Sequence, residues 1–99
     1  MQAKIHYHFE AKMWIHPSEG GWHFVSLPKN IAKEIRNNLK AQEEAWGRMK
    51  ASVQIDELLW KTAIWFDTKE DTYLLPIKAE IRKKGYLKVN DSLIIHLWL

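Results

Sequence analysis

Two histidines lie two residues apart near the start of the chain, at His6 and His8. On an extended strand this spacing puts both imidazoles on one face, where they could ligate one metal ion. A metal site would need at least a third ligand, which Glu10, His23 or His96 would have to supply. Because none of them completes a known ligand spacing, we interpret the two histidines as part of an exposed polar strand face. We expect no metal site and no cofactor.

A cluster of cations in the last quarter of the chain outnumbers the acidic residues around it. Beside an aromatic ring, such a cluster can contact phosphates while the ring stacks on a base. The alternative is a solvated helix face whose cations lie favourably near the helix C-terminus. Arg82 is singled out, because a fixed guanidinium can also clamp backbone carbonyls or Asp91. The candidate binding residues are Lys78, Arg82, Lys83, Lys84, Lys88, Arg48, Lys50 and Trp60.

The usual motifs of a catalytic site are missing from the sequence. The chain has no cysteine, its serines lie in no nucleophile-elbow context, and there is no Gly-rich phosphate loop. The carboxylates of Asp56, Glu57, Glu70 and Asp71 fall in predicted turns, where solvation explains them. We therefore expect a protein that is not an enzyme.

Composition narrows the class of protein. Ninety-nine residues predict one domain over 1–99. The absence of cysteine excludes disulfides and thiolate metal sites and suits the reducing cytoplasm. No apolar run approaches the ~20 residues of a membrane helix, and the first twelve residues lack the apolar region of a signal peptide. We expect a soluble cytoplasmic protein with no membrane partner.

The charge and the aromatic content of the chain do not identify its ligand. A formal net charge of +3 permits contact with phosphates but does not demand it. The chain has six tryptophans, whose large apolar area we expect to lie mostly inside the core or on its rim, so that the core is favoured over a ligand platform for any one of them. They are Trp14, Trp22, Trp46, Trp60, Trp65 and Trp98.

The elements that must position these side chains follow from hydrophobic periodicity. Apolar residues that alternate, or run together, predict about six strands, and a spacing of four predicts two short helices. Gly85 lies where the residue after a helix needs positive φ. The strands are predicted at 5–15, 22–27, 46–55, 58–66 and 73–76 and from the turn at Asn90-Asp91 to the end of the chain, and the helices at 29–39 and 77–84.

A Leu-Pro pair precedes both predicted helices, at Leu27-Pro28 and Leu75-Pro76. In each copy proline ends a strand and presets the entry into a helix. Two weak copies in one chain favour a barrel in which each half contributes strands to a shared core. We therefore predict that Pro28 and Pro76 occupy positions related by a rough two-fold axis.

The segment 53–99 resembles a bacterial family, domain of unknown function 1905. The matching pieces are the strand VQIDELLWKTAIW and, after a polar turn, the stretch YLLPIKAEIRKKGYLKVNDSLIIHL. The stretch FEAKMWIHPSEGGWHFVSLPKNIAKEI resembles the family's first hairpin and helix, so the resemblance covers nearly the whole chain. Two turns depart from the pattern. Asn90 replaces a glycine but tolerates the left-handed region, and Asp56-Glu57 lacks a glycine, which predicts a longer or strained turn.

The resemblance implies a double-split β-barrel, mainly β with two short helices and a pseudo-two-fold. This fold is shared with the swapped-hairpin AbrB and MazE-like proteins, whose short chains dimerise to make one barrel. The family brings no assigned activity, and fold alone does not imply function. We expect a non-catalytic binding module for a protein or small ligand, monomeric or weakly self-associating. The alternative is an AbrB-like DNA-binding protein that uses the basic segment 78–88.

Overall fold

The computed structural model describes residues 4–18, 20–44 and 47–99, so Trp46 lies outside the described residues. The chain is mainly β with two helices, which confirms the predicted class. The helix predicted over 29–39 has the bounds that the structure shows. In chain order the elements are β1 (His6–Ile15), β2 (His23–Ser26), α1 (Lys29–Leu39), a short 3₁₀ turn (Lys40–Gln42), β3 (Arg48–Ile55), β4 (Leu58–Asp67), β5 (Thr72–Pro76), α2 (Ala79–Gly85) and β6 (Ser92–Trp98).

The six strands close into an antiparallel barrel in the order β1-β2-β5-β4-β3-β6. Successive side chains of each strand point alternately into the barrel and out of it, which explains the period of two in the sequence. The inward set forms one core, against which the helices pack Ile35, Leu39 and Ile81. Kinship in fold with the AbrB and MazE-like proteins stays a prediction.

The strand order has the predicted two-fold symmetry. Exchanging β1 with β4, β2 with β5 and β3 with β6 reproduces the same closed order. At the axis β2 pairs with β5 through Val25 and Leu75. Equivalent hydrogen bonds flank this pair: the Leu27 N–H donates to the Tyr73 carbonyl at 3.0 Å, and the Ile77 N–H donates to the His23 carbonyl at 2.9 Å. Each half of the chain therefore contributes a hairpin, a helix and a strand.

The two prolines are not equivalent in this symmetry, so that part of the prediction is wrong. Pro28 lies immediately before the first residue of α1, whereas Lys78 has this position before α2. Pro76 is the last residue of β5 and pairs with Phe24 across the sheet. The repeated Leu-Pro pair is thus shifted by two residues between the halves, because the second copy continues its strand through the proline.

The end of α2 corrects a second expectation. Gly85 is the last residue of α2, and its φ is not positive. Tyr86, the next residue, adopts the left-handed conformation with φ 54°. A Cβ at Gly85 would lie 2.9 Å from Leu58 Cδ1 and 3.1 Å from Leu87 Cγ. The glycine therefore serves close packing against Leu58 and Leu87 and not backbone conformation.

The two turns that depart from the family pattern both have positive φ. Asn90 has φ 74°, as its tolerance of this region predicts. Asp56 has φ 51° in a two-residue connection, since Ile55 pairs directly with Leu58. The β3–β4 turn is therefore short and strained, and not longer.

Candidate functional site

Three of the candidate binding residues, Arg48, Lys50 and Lys78, converge on one groove of the outer barrel surface. It has a volume of about 420 Å³. We call it the cationic groove, and it is lined by Trp22, Arg48, Lys50, Lys61, Thr62, Ala63, Trp65, Pro76 and Lys78.

The register of the β3–β4 hairpin builds one wall of the cationic groove. Arg48 pairs with Trp65, and Lys50 pairs with Ala63. Directly paired residues point to the same side of a sheet, so all four side chains face outward. Lys61 lies two residues before Ala63 on the same outward face of β4. The hairpin thus carries three cations beside one indole ring.

The cations of the groove lack acidic neighbours in its lining. Arg48 forms an ion pair with Glu44 at 2.5 Å. In the part of the chain that the structure describes, Lys50, Lys61 and Lys78 form no ion pair. All three are exposed, so their ammonium groups can bind an anionic ligand in place of water.

Aromatic rings form the other wall. Trp22 stacks on Phe24 with ring centroids 6.1 Å apart and planes 12° apart. Trp65 meets Trp22 edge-on at 6.5 Å and Phe24 edge-on at 5.5 Å. Phe24 points outward from β2, yet it is buried beneath these indoles. Trp22 keeps 53% of its surface exposed, so one face rests on the cluster while the rest stays accessible.

The loop after β1 holds Trp22 in place. The His16 N–H donates to the Trp22 carbonyl at 2.8 Å. His23 holds the other side of the loop through its Nδ1, which lies 2.6 Å from the Gly21 carbonyl. Gly20 and Gly21 have φ of 90° and 59°, a region that favours glycine. The glycine pair therefore shapes the loop that carries Trp22 into the wall of the groove.

Arg82 lies beside the cationic groove and not in it. It lines a neighbouring cavity of about 210 Å³ together with Trp22 and Lys78. Its guanidinium donates to the Ile77 carbonyl at 2.8 Å. The carboxylate of Asp91 instead accepts from the Lys88 backbone N–H at 2.9 Å. Of the two clamps predicted for Arg82, the structure has the one on a carbonyl.

The remaining cations of the basic segment do not join the groove. Lys84 forms an ion pair with Glu80 at 3.1 Å on the exposed face of α2. Neither Lys83 nor Lys88 lines the groove. The predicted basic segment is thus divided between the groove, the edge of the helix and the following turn.

Trp60 lies in a different place, at a hollow of about 470 Å³. Leu59, 67% exposed, and Trp98 give this hollow an apolar lining. The indole N–H of Trp60 is buried and has no hydrogen-bond partner among the described residues. We call this site the Trp60 hollow, and it is lined by Lys4, Ser52, Gln54, Leu59, Trp60, Lys61 and Trp98.

The tryptophans occupy the rim and the outer face of the barrel. None of the five that the structure describes belongs to the buried core, although Trp60 packs against it. The expectation of a core position is therefore wrong for the exposed Trp22. Trp14, Trp65 and Trp98 are half-buried at outward positions.

The histidines form a stacked cluster on the outer face of β1 and β6. His8 pairs across the strands with His96, and His6 pairs with Trp98. The His6 Nε2 lies 2.9 Å from the His96 Nδ1 in a hydrogen bond between nearly parallel rings. Across residues 4–18, 20–44 and 47–99, no group of three or more histidine or acidic side chains is arranged to hold a metal ion.

A buried polar network lies between α1 and the barrel. The Tyr73 hydroxyl donates to Glu43 Oε1, and Arg36 lies 3.6 Å from the same carboxylate. Burial raises the pKa of Tyr73 from its ordinary value of 10.0, and the hydrogen bond from its hydroxyl to Glu43 adds to the effect. Arg36 also lies over the Phe66 ring, 4.0 Å from its centroid. The network joins the helix to the strands.

Among the cations and indoles of the cationic groove, sequence reasoning missed three as site residues: Trp22, Lys61 and Trp65. Lys61 and Trp65 had a usable signal. A two-residue turn at Asp56 would have placed Trp65 opposite Arg48. Trp22 had only its outward direction as a signal, because its place beside the lysines depends on contact with Trp65, which is distant in sequence.

Comparison with known proteins adds one family and no curated relative. The family model described as "Domain of unknown function (DUF1905)" matches residues 9–97. No curated protein matches the chain significantly. In the described residues, no helix is long and apolar enough to cross a membrane.

Proposed function

Because this chain belongs to the DUF1905 family of domains of unknown function, we propose its role from its own surface: a non-catalytic module that binds an anionic ligand in the cationic groove. One observation carries the proposal. Lys50, Lys61 and Lys78 converge beside two indoles, Trp22 and Trp65, in one concave place. Cations recognise an anion, and aromatic rings add contact area at low conformational cost.

Binding without catalysis is favoured by the residues that line the groove. Its polar side chains are three lysines, Arg48 and Thr62. None of these is paired with a base that would activate a nucleophile, and the sequence supplies no cysteine. The Tyr73–Glu43 pair has acid–base chemistry, but Tyr73 is fully buried and its phenol holds its proton tightly. The groove therefore supports recognition better than chemistry.

Inorganic tripolyphosphate tests the proposal without any assumption about a ring-bearing ligand. Titration into the ¹⁵N-labelled protein at low ionic strength is expected to shift the amide signals of Lys50, Lys61 and Lys78. The double variant Lys50→Gln/Lys61→Gln should weaken the binding. Added salt should weaken it as well, since exposed charges are screened.

A matched control separates the groove from general surface charge. Lys83→Gln/Lys88→Gln removes the same charge from outside the groove. It should leave the affinity nearly unchanged. Equal losses in both double variants, or no binding by the wild type at low salt, would refute the proposal.

A small apolar ligand in the Trp60 hollow is a second candidate. The exposed Leu59 beside Trp60 and Trp98 favours it, since large apolar side chains at a concave surface often mark a binding site. The dye 8-anilinonaphthalene-1-sulfonate is a suitable probe. Its fluorescence should rise with wild type and fall with Leu59→Ser. A response unchanged by this substitution would remove the hollow from consideration.

We also propose that the module acts as a monomer in the cytoplasm, a location suited to a cysteine-free chain. Sedimentation velocity over a hundredfold concentration range is expected to give the coefficient of one 11.8 kDa chain throughout. A coefficient that rises with concentration would replace the monomer by a self-associating form.

A further inference from the structure

We propose that the ligand of the cationic groove is a single-stranded nucleic acid, whose phosphates lie on Lys50, Lys61 and Lys78 while a base stacks on Trp22. This inference rests on the proposed function, which requires only an anion in the groove. The further inference adds that the ligand carries phosphate groups that alternate with planar bases.

The stacking surface is already in place. Phe24 backs one face of the Trp22 indole with near-parallel planes 12° apart, and Trp65 closes the side edge-on at 81°. Since Trp22 remains about half exposed, its outer face can accept a planar ring without rearrangement. An indole fixed in this way loses little conformational entropy when a base stacks on it.

The cations are spread over two strands and the residue before α2, and are not gathered at a point. Arg48 and Lys50 are two residues apart on β3, about 6.7 Å along the strand. Lys61 follows on β4, and Lys78 lies beyond the end of β5. A row of this kind suits a chain of phosphates, one charge per nucleotide, better than one compact anion.

Trp22 is also shared by three adjoining cavities. Besides the cationic groove, it lines the cavity that contains Arg82 and a more apolar one of about 270 Å³ that contains His16, Leu74 and the carboxylate of Asp67. A base on the indole would therefore have concave surface next to it for flanking nucleotides. A mononucleotide would leave these cavities empty.

A single strand fits the groove better than a duplex. In a duplex both faces of each base are covered by its neighbours, so Trp22 and Trp65 would have nothing to stack on. Duplex readout also uses an element that enters the major groove. Here the cations and indoles line a concave surface on the strands of a closed barrel.

Fluorescence anisotropy with a labelled oligothymidylate of about twelve nucleotides tests the inference, since single-strand sites span ~4–16 nucleotides. We expect log K to fall with log salt at a slope of about −2 to −3 for three to four contacts. Lys50→Gln/Lys61→Gln should reduce the slope by about 1.4. Trp22→Ala should weaken binding at least about fivefold with the slope unchanged, and Trp22→Phe should restore most of the affinity.

Tyr86→Ala is the matched control, because it removes an exposed aromatic ring that does not line the cationic groove; circular dichroism verifies that each variant is folded. It should bind the oligonucleotide as wild type does. A duplex that binds as tightly as the single strand, or a Trp22→Ala variant with wild-type affinity, would overturn the inference. If tripolyphosphate binds in the groove and the oligonucleotide does not, the inference fails while the proposed function stands. If neither binds at low salt, both fail.

Discussion

Replacing Tyr73 with phenylalanine should destabilise the fold at neutral pH and change how stability responds to alkali. The Tyr73 side chain is fully buried, and its hydroxyl donates to a Glu43 carboxylate that is only 10% exposed. The variant deletes this hydrogen bond and leaves Arg36 as the neighbour of the acid, at 3.6 Å. A hydrogen bond to a charged group contributes about 1.5–3 kcal/mol, and we expect a loss of that size at pH 7.

The alkaline response follows from the raised pKa of Tyr73. Above pH 10 the phenol ionises in the unfolded chain while it stays protonated in the native protein. The unfolded state then binds fewer protons, so the free energy of unfolding falls by up to about 1.4 kcal/mol per pH unit. This contribution is fully present below pH 10 and is lost above it. The phenylalanine variant has no such loss, so its deficit relative to wild type should shrink above pH 10.

Urea unfolding of wild type and Tyr73→Phe at pH 7, 9, 10 and 11 measures both effects. The pKa of Tyr7 is also raised, chiefly by burial, but Tyr7 is present in both proteins and cancels in the difference. Tyr86→Phe is the matched control, because this phenol is 85% exposed and makes no hydrogen bond among the described residues. A variant as stable as wild type at pH 7, or a deficit that stays constant up to pH 11, would refute the reasoning.

Three substitutions around α2 give further predictions. Ile81→Asp places an unpaired charge in the core and should lower the free energy of unfolding by at least about 3 kcal/mol. The control Ile81→Val should lower it by about 1 kcal/mol. Similar melting temperatures for the two variants would mean that the buried helix face is misassigned. Gly85→Ala should lower stability by about 1 kcal/mol net, because crowding against Leu58 outweighs the gain in helix propensity; a stabilised variant would contradict this close packing. Tyr86→Gly should raise stability by about 1 kcal/mol in urea unfolding, since it relieves a left-handed residue with an exposed side chain. No gain would argue against strain there.

Local patterns in the sequence determined much of the fold. The spacing of Ile31, Ile35 and Leu39 predicted α1 with its observed bounds, because one amphipathic helix carries its own periodicity. Alternation identified the strands for the same reason. The two-fold strand order also follows, since each half repeats a hairpin, a helix and a strand.

The errors share a physical cause: each concerns a contact between segments that are distant in sequence. Pro76 stays in β5 because it pairs with Phe24, and Gly85 is a packing glycine because Leu58 lies against it. Periodicity states that Trp22 and Trp65 point outward, but only the closed barrel brings β2 and β4 onto either side of β5. The position of the cationic groove therefore depended on register, which composition and periodicity do not contain.

The internal symmetry supplies a comparison for the cationic groove within the same barrel. The two-fold places a counterpart of the groove on β6, β1 and β2. Phe24 and Leu74 are equivalent at the axis, and their hairpin partners are Trp14 and Trp65. Both faces therefore carry a tryptophan at the equivalent position, where its ring covers the outer side of the hairpin.

The cations are not repeated in the same way. Four residues before each tryptophan, Lys61 on one face corresponds to Glu10 on the other, and Glu10 accepts a hydrogen bond from Ser92 at 2.5 Å. Lys78 corresponds to Pro28, since each precedes the first residue of a helix. A barrel that needed these cations for stability would carry them on both equivalent faces. Their absence from the equivalent positions of the other face supports the proposed binding role over a role in stability, and the lysine variants are therefore expected to lose binding while they keep the fold.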